Sequence, residues 1–369
     1  MQPLRVALGG RAYPIHIGAG LLGDARPFAP HVATRAVAIV SNEVVAPLYL
    51  GRLRATLEEA GARIAAEVVL EDGERAKSFD TLERLVDRLL AARCGRDCVL
   101  IALGGGVIGD LAGFAAAVYQ RGVPFLQVPT TLLAQVDSAV GGKTAINHPR
   151  GKNLVGAFHQ PLAVVSDVAA LDTLPGRELR AGIAEVLKHG FVLDAAFVAW
   201  LEQNVAQLVL RQRAALEYAV RRCCELKAGV VAADEREAGP RAILNFGHTF
   251  AHAIEAATGY GEWLHGEAVA AGMVMAAELS VRAGTLPRAA AERVRQLVAA
   301  AGLPVQGPRI DSERYLDLIG VDKKALRGRP RFVVLEALGR ALLREDLEEP
   351  WVREAIAACS PETRSAASQ

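Results

Sequence analysis

Histidine and glutamate residues stand at helical spacing in the second half of the chain. His248 and His252 are four residues apart, so on a helix they share one face. His265 begins a later apolar stretch, and Glu185 precedes Lys188 by about one helical turn in an earlier one. Imidazoles combined with a carboxylate are typical of catalytic zinc sites, which keep one position open for substrate. The pattern predicts a divalent metal site, and spacing alone leaves both His248/His252 and His248/His265 open as the ligand pair.

A glycine-rich segment follows an apolar run in the first half of the chain. Residues 98–103 predict a buried strand, and they lead directly into residues 104–110, GGGVIGD, which contain the pattern G-x-G-x-x-G ahead of an apolar helix. Residues without a Cβ let the backbone approach a pyrophosphate at a helix N-terminus. The segment indicates a dinucleotide site, although it lies in mid-domain and lacks the acidic residue expected about 20 positions later. Polar turns at residues 72–77 and 129–131 follow other predicted strands and are expected to contribute.

Lysine is rare in this sequence. Of 42 basic residues, only seven are lysine. Because arginine serves at most basic positions, we expect the few lysines at places that need a compact, rotatable ammonium. Several cations flank the glycine-rich, asparagine-containing or histidine-containing segments, with Asp137 as the nearest carboxylate in sequence, and would suit a small substrate that carries phosphate and carboxylate groups. These cations are Lys143, Lys152, Lys188, Lys227 and Arg241.

Length and composition exclude several classes of protein. The 369 residues suffice for two domains, and the net charge of +1 provides no field that would hold nucleic acid or an anionic membrane. No apolar run reaches the ~20 residues of a membrane helix, and the first residues contain no signal-peptide core. Five cysteines without a C-x-x-C pair argue against a disulfide framework and a thiolate zinc knuckle. We expect a cytoplasmic protein that binds neither nucleic acid nor membrane.

The elements that must position these residues differ between the two halves of the chain. Up to about residue 175, short β-rich runs alternate with helical stretches, which predicts βα units on a parallel sheet. Beyond residue 176, long Ala/Leu-rich stretches have a 3.6-residue period. The predicted fold class is α/β plus all-α. It comprises a Rossmann-like, parallel-sheet NAD-binding domain at residues 1–176 and a helical metal- and substrate-binding domain at residues 177–369, with a small hairpin near residues 332–343.

Taken together, the motifs resemble those of the 3-dehydroquinate synthases of the shikimate pathway, within the sugar-phosphate cyclases. The resemblance extends from about residue 72 to residue 324. The segments that carry it are residues 72–77 (DGERAK), 104–110 (GGGVIGD), 129–143 (PTTLLAQVDSAVGGK), 151–153 (GKN), 185–188 (EVLK), 234–237 (DERE), 245–252 (NFGHTFAH) and 265–267 (HGE).

The resemblance implies an activity, two cofactors and a set of site residues. The enzyme would be a lyase that converts 3-deoxy-D-arabino-heptulosonate 7-phosphate to 3-dehydroquinate and phosphate through transient oxidation by NAD, elimination, re-reduction, ring opening and aldol closure. The metal, zinc or cobalt, would be held by Glu185, His248 and His265. The catalytic residues would be Asp137, Lys143, Lys188 and His252. The NAD contacts would be Asp72, Glu74, Lys77, Gly105, Gly106, Asp110, Thr130, Thr131, Lys143, Lys152 and Thr173, with Asn42 and Glu43 as candidates near the adenosine. The substrate contacts would be Arg121, Lys152, Asn153, Lys227, Arg241, Asn245, Lys323 and Lys324.

The resemblance also implies a homodimer, in which Arg121 would reach the neighbouring protomer's site. Three other interpretations share parts of the pattern. A related cyclase that makes 2-deoxy-scyllo-inosose or a valiolone would use the same cofactors on a different sugar phosphate, and the substrate carboxylate distinguishes it. A metal-dependent polyol dehydrogenase would release NADH as product. A nucleotide-binding scaffold would need neither the metal-type residues nor the lysines. Lys227, Arg241 and residues 322–324 follow the dehydroquinate synthase pattern and favour that interpretation.

Overall fold

The chain folds into two compact units. The computed structural model describes residues 2–259, 261–324 and 331–360, and it describes no side chain between residues 321 and 330. The first unit comprises Met1–Pro175 and Arg213–Arg236, and the second comprises Gly176–Gln212 and Glu237–Gln369. The first crossing lies next to the predicted boundary between residues 176 and 177. The units are nevertheless not two consecutive blocks, because the helix Arg213–Ala233 belongs to the first unit.

A seven-stranded sheet forms the centre of the first unit. Its strand order is β1-β2-β9-β6-β5-β3-β4, and all neighbours run parallel except the antiparallel pair β1 and β2. The strands of this unit, in chain order, are β1 (Leu4–Val6), β2 (Tyr13–Gly18), β3 (Ala36–Asn42), β4 (Arg63–Leu70), β5 (Val99–Gly104), β6 (Phe125–Pro129), β7 (Lys143–His148), β8 (Gly151–Phe158) and β9 (Val164–Asp167). Its helices are α1 (Ala29–Val32), α2 (Ala46–Glu59), α3 (Phe79–Ala91), α4 (Gly106–Val118) and α7 (Arg213–Ala233).

The central strands are buried along their whole length. Every residue of β3, β5 and β6 is buried, as expected for parallel strands that are covered on both faces. Alternate residues of these strands join two separate apolar clusters, so side chains such as Leu100 and Ile101 point to opposite faces of the sheet. The carboxyl ends of the strands therefore emerge together at one edge, which is where ligands bind in open α/β sheets.

A two-stranded hairpin, β7 with β8, lies outside the main sheet and was not predicted from the sequence. It follows one turn of π-helix, Ala134–Ser138, and pairs Lys143 with Phe158 at its open end. Exposed and intermediate residues dominate β8, so its hydrophobic pattern is weak. The hairpin matters for the site because it carries Lys143, Lys152 and Asn153.

Over its described residues, the second unit is helical apart from one small hairpin, which confirms the predicted fold class together with the parallel sheet of the first unit. Helix α9 is buried over most of its length and approaches α5 very closely: a Cβ on Gly266 would stand 2.0 Å from the carbonyl oxygen of Ala181. Its elements are α5 (Gly176–Leu193), α6 (Ala195–Val209), α8 (His248–Thr258), α9 (His265–Arg282), α10 (Arg288–Ala300), α11 (Ser312–Lys324), β10 (Phe332–Ala337), β11 (Arg340–Arg344) and α12 (Glu349–Ala358). Within the described ranges, no helix is both long and apolar enough to span a bilayer.

Candidate metal centre and dinucleotide site

Three helices of the second unit bring Glu185, His248 and His265 together. Glu185 lies inside α5 and is 1% exposed, while His248 and His265 are the first residues of α8 and α9. One ligand atom from each of the three lies within 4.8 Å of the others. Oε1 of Glu185 is 3.7 Å from Nε2 of His248 and 3.5 Å from Nε2 of His265. The structure therefore groups His265, rather than His252, with His248 and Glu185.

Neighbouring groups hold each donor in this orientation. Nδ1 of His248 lies 3.2 Å from the carbonyl oxygen of Phe246, and Nδ1 of His265 lies 3.4 Å from Oε1 of Glu255. Both rings therefore turn Nε2 toward Glu185. The second oxygen of Glu185 lies 2.5 Å from the ammonium of Lys188, one turn along α5.

The pKa values of His248 and His265 are shifted in opposite directions. Burial lowers the pKa of His248 to about 3, against an opposing effect of the Glu185 charge. Burial also acts to lower the pKa of His265, but hydrogen bonds and charges from Glu185 and Glu255 outweigh it and raise the pKa to about 10. The two buried carboxylates therefore favour a positive charge on the His265 ring. A cation at this place would take over that compensating charge.

The donor set fits a divalent metal ion. Two imidazoles and one carboxylate are the ligands of many catalytic zinc sites, and tetrahedral ligands at bond lengths of about 2.0–2.2 Å lie about 3.4 Å apart. The separations of 3.5 and 3.7 Å are close to that value. His252 is exposed, and its ring centre lies 5.9 Å from that of His248, so it stands beside the three donors without joining them.

The other predicted substrate residues of the second unit differ in how far they are exposed to solvent. Arg241 is 2% exposed, whereas Asn245 is exposed and donates from Nδ2 to Glu237 at 2.8 Å. The side chains of Lys323 and Lys324 lie outside the described residues. The sequence places Glu255 one turn after His252 on the same predicted helical face, and Glu237 ends the segment 234–237, but neither residue was assigned a role.

In the first unit, the glycine-rich segment joins β5 to α4 as predicted. Gly105 is the N-cap of α4, and Gly106 is the first residue of the helix. A Cβ on Gly105 would stand 3.0 Å from Cγ2 of Thr131, and one on Gly106 would stand 3.0 Å from the hydroxyl of Ser138. Because glycine has no side chain, nothing at these two positions covers the N-terminus of α4, and its backbone N–H groups can face an anionic group.

Lys77 connects three of the predicted cofactor segments. Its buried ammonium lies 2.7 Å from Oδ2 of Asp110 and 2.5 Å from Oδ1 of Asn153. Burial raises the pKa of Asp110, and the charge of Lys77 opposes this effect. Glu74 lies 3.8 Å from the ammonium groups of both Lys77 and Lys152. These polar residues thus form one network at the carboxyl edge of the sheet.

Asn147, which was not predicted as a site residue, connects this network to the hairpin of β7 and β8. Its side chain donates to Glu74 at 2.7 Å and accepts from the backbone of Asn153 at 2.9 Å, while its own N–H donates to the carbonyl of Lys77. Asn147 is one of several polar residues in a strand that was itself not predicted. No local pattern of the sequence distinguishes it from an ordinary hairpin residue.

Asp137 and Lys227 form a second polar contact in the first unit. Asp137 lies in the π-helical turn, and Lys227 on α7 donates to its backbone carbonyl at 2.6 Å and also to its carboxylate. The thiol of Cys224, also on α7, donates to the carbonyl of Gln135 in the same turn at 3.2 Å. These contacts join α7 to the first unit.

The remaining predicted residues lie at strand ends or in loops. Asp72 is exposed and accepts from Asn42 at 2.5 Å, and the hydroxyl of Thr173 lies 2.6 Å from that of Tyr49. Among the described residues, the buried hydroxyl of Thr130 has no hydrogen-bond partner. Two further side chains, those of Lys143 and Arg121, are exposed, and the hydroxyl of Thr131 accepts from the N–H of Ala134 at 3.2 Å.

Solved structures of similar fold place the chain among NAD- and metal-associated enzymes. A 2-epi-5-epi-valiolone synthase from Streptomyces hygroscopicus subsp. jinggangensis, solved with NAD+ and Zn2+ bound, is 29% identical; the match has a TM-score of 0.87 and covers 94% of this chain and 96% of that chain. A 2-deoxy-scyllo-inosose synthase, complexed with carbaglucose-6-phosphate, NAD+ and Co2+, is 25% identical, with a TM-score of 0.87 over 97% of this chain and 100% of that chain. A glycerol dehydrogenase from Schizosaccharomyces pombe, 19% identical with a TM-score of 0.63 over 94% of this chain and 88% of that chain, shares the fold alone. The fold and site define an enzyme of the sugar-phosphate cyclase superfamily.

Family models narrow this class. Residues 67–181 match a model described as 3-dehydroquinate synthase N-terminal, and residues 182–325 match one described as 3-dehydroquinate synthase C-terminal. The two matches are contiguous and together cover well over half of the chain. The chain belongs to the 3-dehydroquinate synthase family. The predicted membership is thereby confirmed, whereas the predicted cytoplasmic location stays a prediction.

Proposed function

We propose that this enzyme is a 3-dehydroquinate synthase, which converts 3-deoxy-D-arabino-heptulosonate 7-phosphate to 3-dehydroquinate and phosphate. The observation that carries the proposal is the contiguous match of residues 67–325 to the two halves of that family. The cyclases of other specificity described above are only 25–29% identical to this chain, so their similarity does not require that this enzyme share their substrates. The product would enter aromatic biosynthesis through the shikimate pathway.

The proposed cofactors are NAD in the first unit and zinc or cobalt in the second. Glu185, His248 and His265 would hold the metal, and the cleared N-terminus of α4 would face the pyrophosphate of NAD. When bound, the metal supplies a Lewis acid for a substrate hydroxyl, and NAD accepts and later returns a hydride. The ion pair of Lys188 with Glu185 orients that carboxylate, so the donors are in place before substrate arrives.

Cationic side chains would bind the ends of the substrate. Lysines are suited to a phosphate that must be released during the cycle, because a point charge does not impose the rigid bidentate geometry of arginine. Lys143, Lys152 and Lys227 are the proposed phosphate-side residues, with Asp137 holding the ammonium of Lys227 in position. The phosphate dianion would itself accept the proton lost during elimination, so no separate strong base is required.

The carboxylate of the substrate distinguishes the proposed reaction from those of the other cyclases. Arg241 is the proposed carboxylate partner, because its planar guanidinium matches the two oxygens of a carboxylate and its burial would strengthen that contact. His252, exposed beside the metal donors, is proposed to hold or move a proton at a substrate hydroxyl. Asn153 and Asn245 would add hydrogen bonds, and Lys323 or Lys324 is proposed as a further cationic contact.

We also propose that the enzyme works as a homodimer. Arg121 is exposed in a tight turn after α4, with a positive φ of 68°. An arginine held outward by a rigid turn is suited to contact a second protomer's substrate. Sedimentation velocity of wild type and the Arg121→Ala variant tests the proposal: a dimer whose activity falls in the variant supports it, and a fully active monomer contradicts it.

The function is tested by supplying three sugar phosphates to the enzyme with NAD and zinc. The substrates are 3-deoxy-D-arabino-heptulosonate 7-phosphate, a heptulose 7-phosphate without the carboxylate, and glucose 6-phosphate. Inorganic phosphate and NADH absorbance are followed together, before and after chelation. Chelator-sensitive phosphate release from the first substrate alone, without accumulation of NADH, supports the proposal.

Other outcomes identify the alternatives. Phosphate release from either of the other sugars, and not from the carboxylate-bearing one, assigns the enzyme to another cyclase specificity. Accumulation of NADH without phosphate release indicates a dehydrogenase. The Arg241→Met variant is the matched control, because it should weaken turnover of the carboxylate-bearing substrate while leaving metal content unchanged.

A further inference from the structure

Glu255 is a buried carboxylate next to the candidate metal centre that the proposed reaction does not use. It lies on α8, two turns after His248, and only 3% of it is exposed. Its neighbours on the helix, Ala253 and Ile254, are buried and apolar. Burial of a charged carboxylate is costly unless a partner compensates it, so its position requires a specific role.

The geometry places Glu255 behind one metal donor. Its Oε1 lies 3.4 Å from Nδ1 of His265, whereas Nε2 of the same ring faces Oε1 of Glu185 at 3.5 Å. The imidazole is therefore held between two carboxylates, one on each nitrogen. A ring held in this way can present only Nε2 to a cation, since Nδ1 donates its hydrogen in the opposite direction.

The other histidine donor, His248, has a weaker hydrogen-bond acceptor next to its Nδ1. Nδ1 of His248 faces the carbonyl of Phe246 at 3.2 Å, and this neutral acceptor belongs to the backbone just before α8. A carboxylate that accepts from a ligating histidine raises its basicity more than a neutral carbonyl does, and it fixes the ring tautomer. The two imidazole ligands are therefore unequal, and the side-chain support lies behind His265.

We infer that Glu255 is a positioning residue that holds His265 as an Nε2 ligand and strengthens its bond to the metal. The inference rests on the proposed function, because it concerns the metal centre proposed there. Glu255 touches neither substrate nor cofactor in this role and acts only through the His265 ring.

Three variants separate this role from simple packing. Glu255→Leu removes both charge and acceptor, and Glu255→Gln keeps the volume and an acceptor oxygen while removing the charge. Glu278→Gln is the matched control, because Glu278 is also a buried carboxylate of the second unit but pairs with Arg288 near the far end of α9. Circular dichroism and thermal unfolding of each metal-free variant report on the fold.

The readouts are zinc affinity, measured by competition with a chromophoric chelator, and the ring N–H resonances of the zinc-loaded, histidine-labelled enzyme. We expect Glu255→Leu to weaken zinc binding by about 10–100-fold and Glu255→Gln to do so by about tenfold or less. The slowly exchanging Nδ1–H resonance of His265 should shift in Glu255→Gln and exchange rapidly in Glu255→Leu. Glu278→Gln should leave both readouts unchanged.

Failure of this inference differs from failure of the proposed function. If wild type binds zinc, His248→Ala does not, and both Glu255 variants bind as wild type does, the inference is wrong while the metal centre stands. If wild type itself fails to bind zinc, the proposed metal centre is wrong. A lower unfolding temperature without a change in affinity or in the Nδ1–H resonance would show a structural role only, and Glu255→Gln alone decides if Glu255→Leu does not fold.

Discussion

The metal donors and the dinucleotide residues are built in different ways. Each metal donor lies on a helix, and the carboxylates of Glu185 and Glu255 are buried. The dinucleotide residues lie mainly in turns after strands, as the exposed Asp72 does. Packed helices hold the first site, and hydrogen bonds between polar side chains hold the second.

The difference determines what each site tolerates. The donors of the metal centre are in place because α5, α8 and α9 pack closely, so a change in that packing should disturb stability and metal together. The network around Lys77 consists of polar contacts that a bound ligand can replace. Changes there should therefore affect NAD affinity with little effect on the rest of the molecule.

The largest effect should come from His265→Ala. Loss of a direct donor should cost more than loss of an outer partner, so we expect zinc affinity and turnover to fall by more than about 100-fold. Metal content by atomic absorption and phosphate release measure the two effects. His252→Ala is the control, since His252 lies outside the donor group and its loss should reduce turnover without reducing zinc content. A metal-replete, active His265→Ala enzyme would refute the ligand assignment.

Gly266→Ala tests the helix packing that supports the donors. The added methyl would meet the backbone of Ala181, which cannot move away as a flexible side chain would, and we expect a loss of about 3 kcal/mol in the free energy of unfolding. Urea titration measures it. Gly229→Ala is the matched helical control, because a Cβ there meets nothing within 4 Å and should stabilise by about 0.5–1 kcal/mol. Equal stability of the two variants would show that the close approach of α9 to α5 is unimportant.

Gly105→Ala should affect the first site alone. A methyl at the N-cap of α4 would crowd Thr131 and the approach of a pyrophosphate, and we expect the Kd for NAD to rise about tenfold, or about 1.4 kcal/mol. Calorimetric titration with NAD measures this. Zinc affinity serves as the internal control. If zinc affinity falls as much as NAD affinity does, the contrast between the two sites fails.

The smallest effect concerns an ion pair away from both sites. Hydrogen bonding to Arg288 lowers the pKa of Glu278 below its usual 4.5, so the pair stabilises the fold above pH 4.5, and this contribution is lost as the pH falls through the lowered value. Glu278→Gln should therefore cost about 1 kcal/mol at neutral pH and progressively less below pH 4.5. Unfolding free energies of both proteins across this range measure it. A difference independent of pH would assign the effect to packing.

Helical periodicity was enough to predict most of the site-bearing elements, and long-range packing decided the rest. The spacing of His248 and His252 predicted their common face, but it did not show which histidine joins Glu185. That choice depends on where α9 begins relative to α8, a distance between helices that no local pattern encodes. In the same way, the period of residues 213–232 predicted a helix without indicating the unit to which it belongs.

The dinucleotide side shows the same limit for polar residues. The glycine pattern and its flanking strand and helix were predictable because their steric requirements are local. Asn147 was not, since its role arises from a hairpin that brings residues 143–158 beside residues 74–77. Single polar residues that bridge distant segments leave no periodic signal.

The return of α7 to the first unit constrains the order in which the chain can fold during its synthesis. The first unit includes residues up to Arg236, so it is incomplete while the ribosome is still making α5 and α6. Those two helices are synthesised before α8 and α9, so the metal donor Glu185 is made before His248 and His265. A gene fragment that ends at residue 176 would therefore lack α7, and with it the lysine that contacts Asp137.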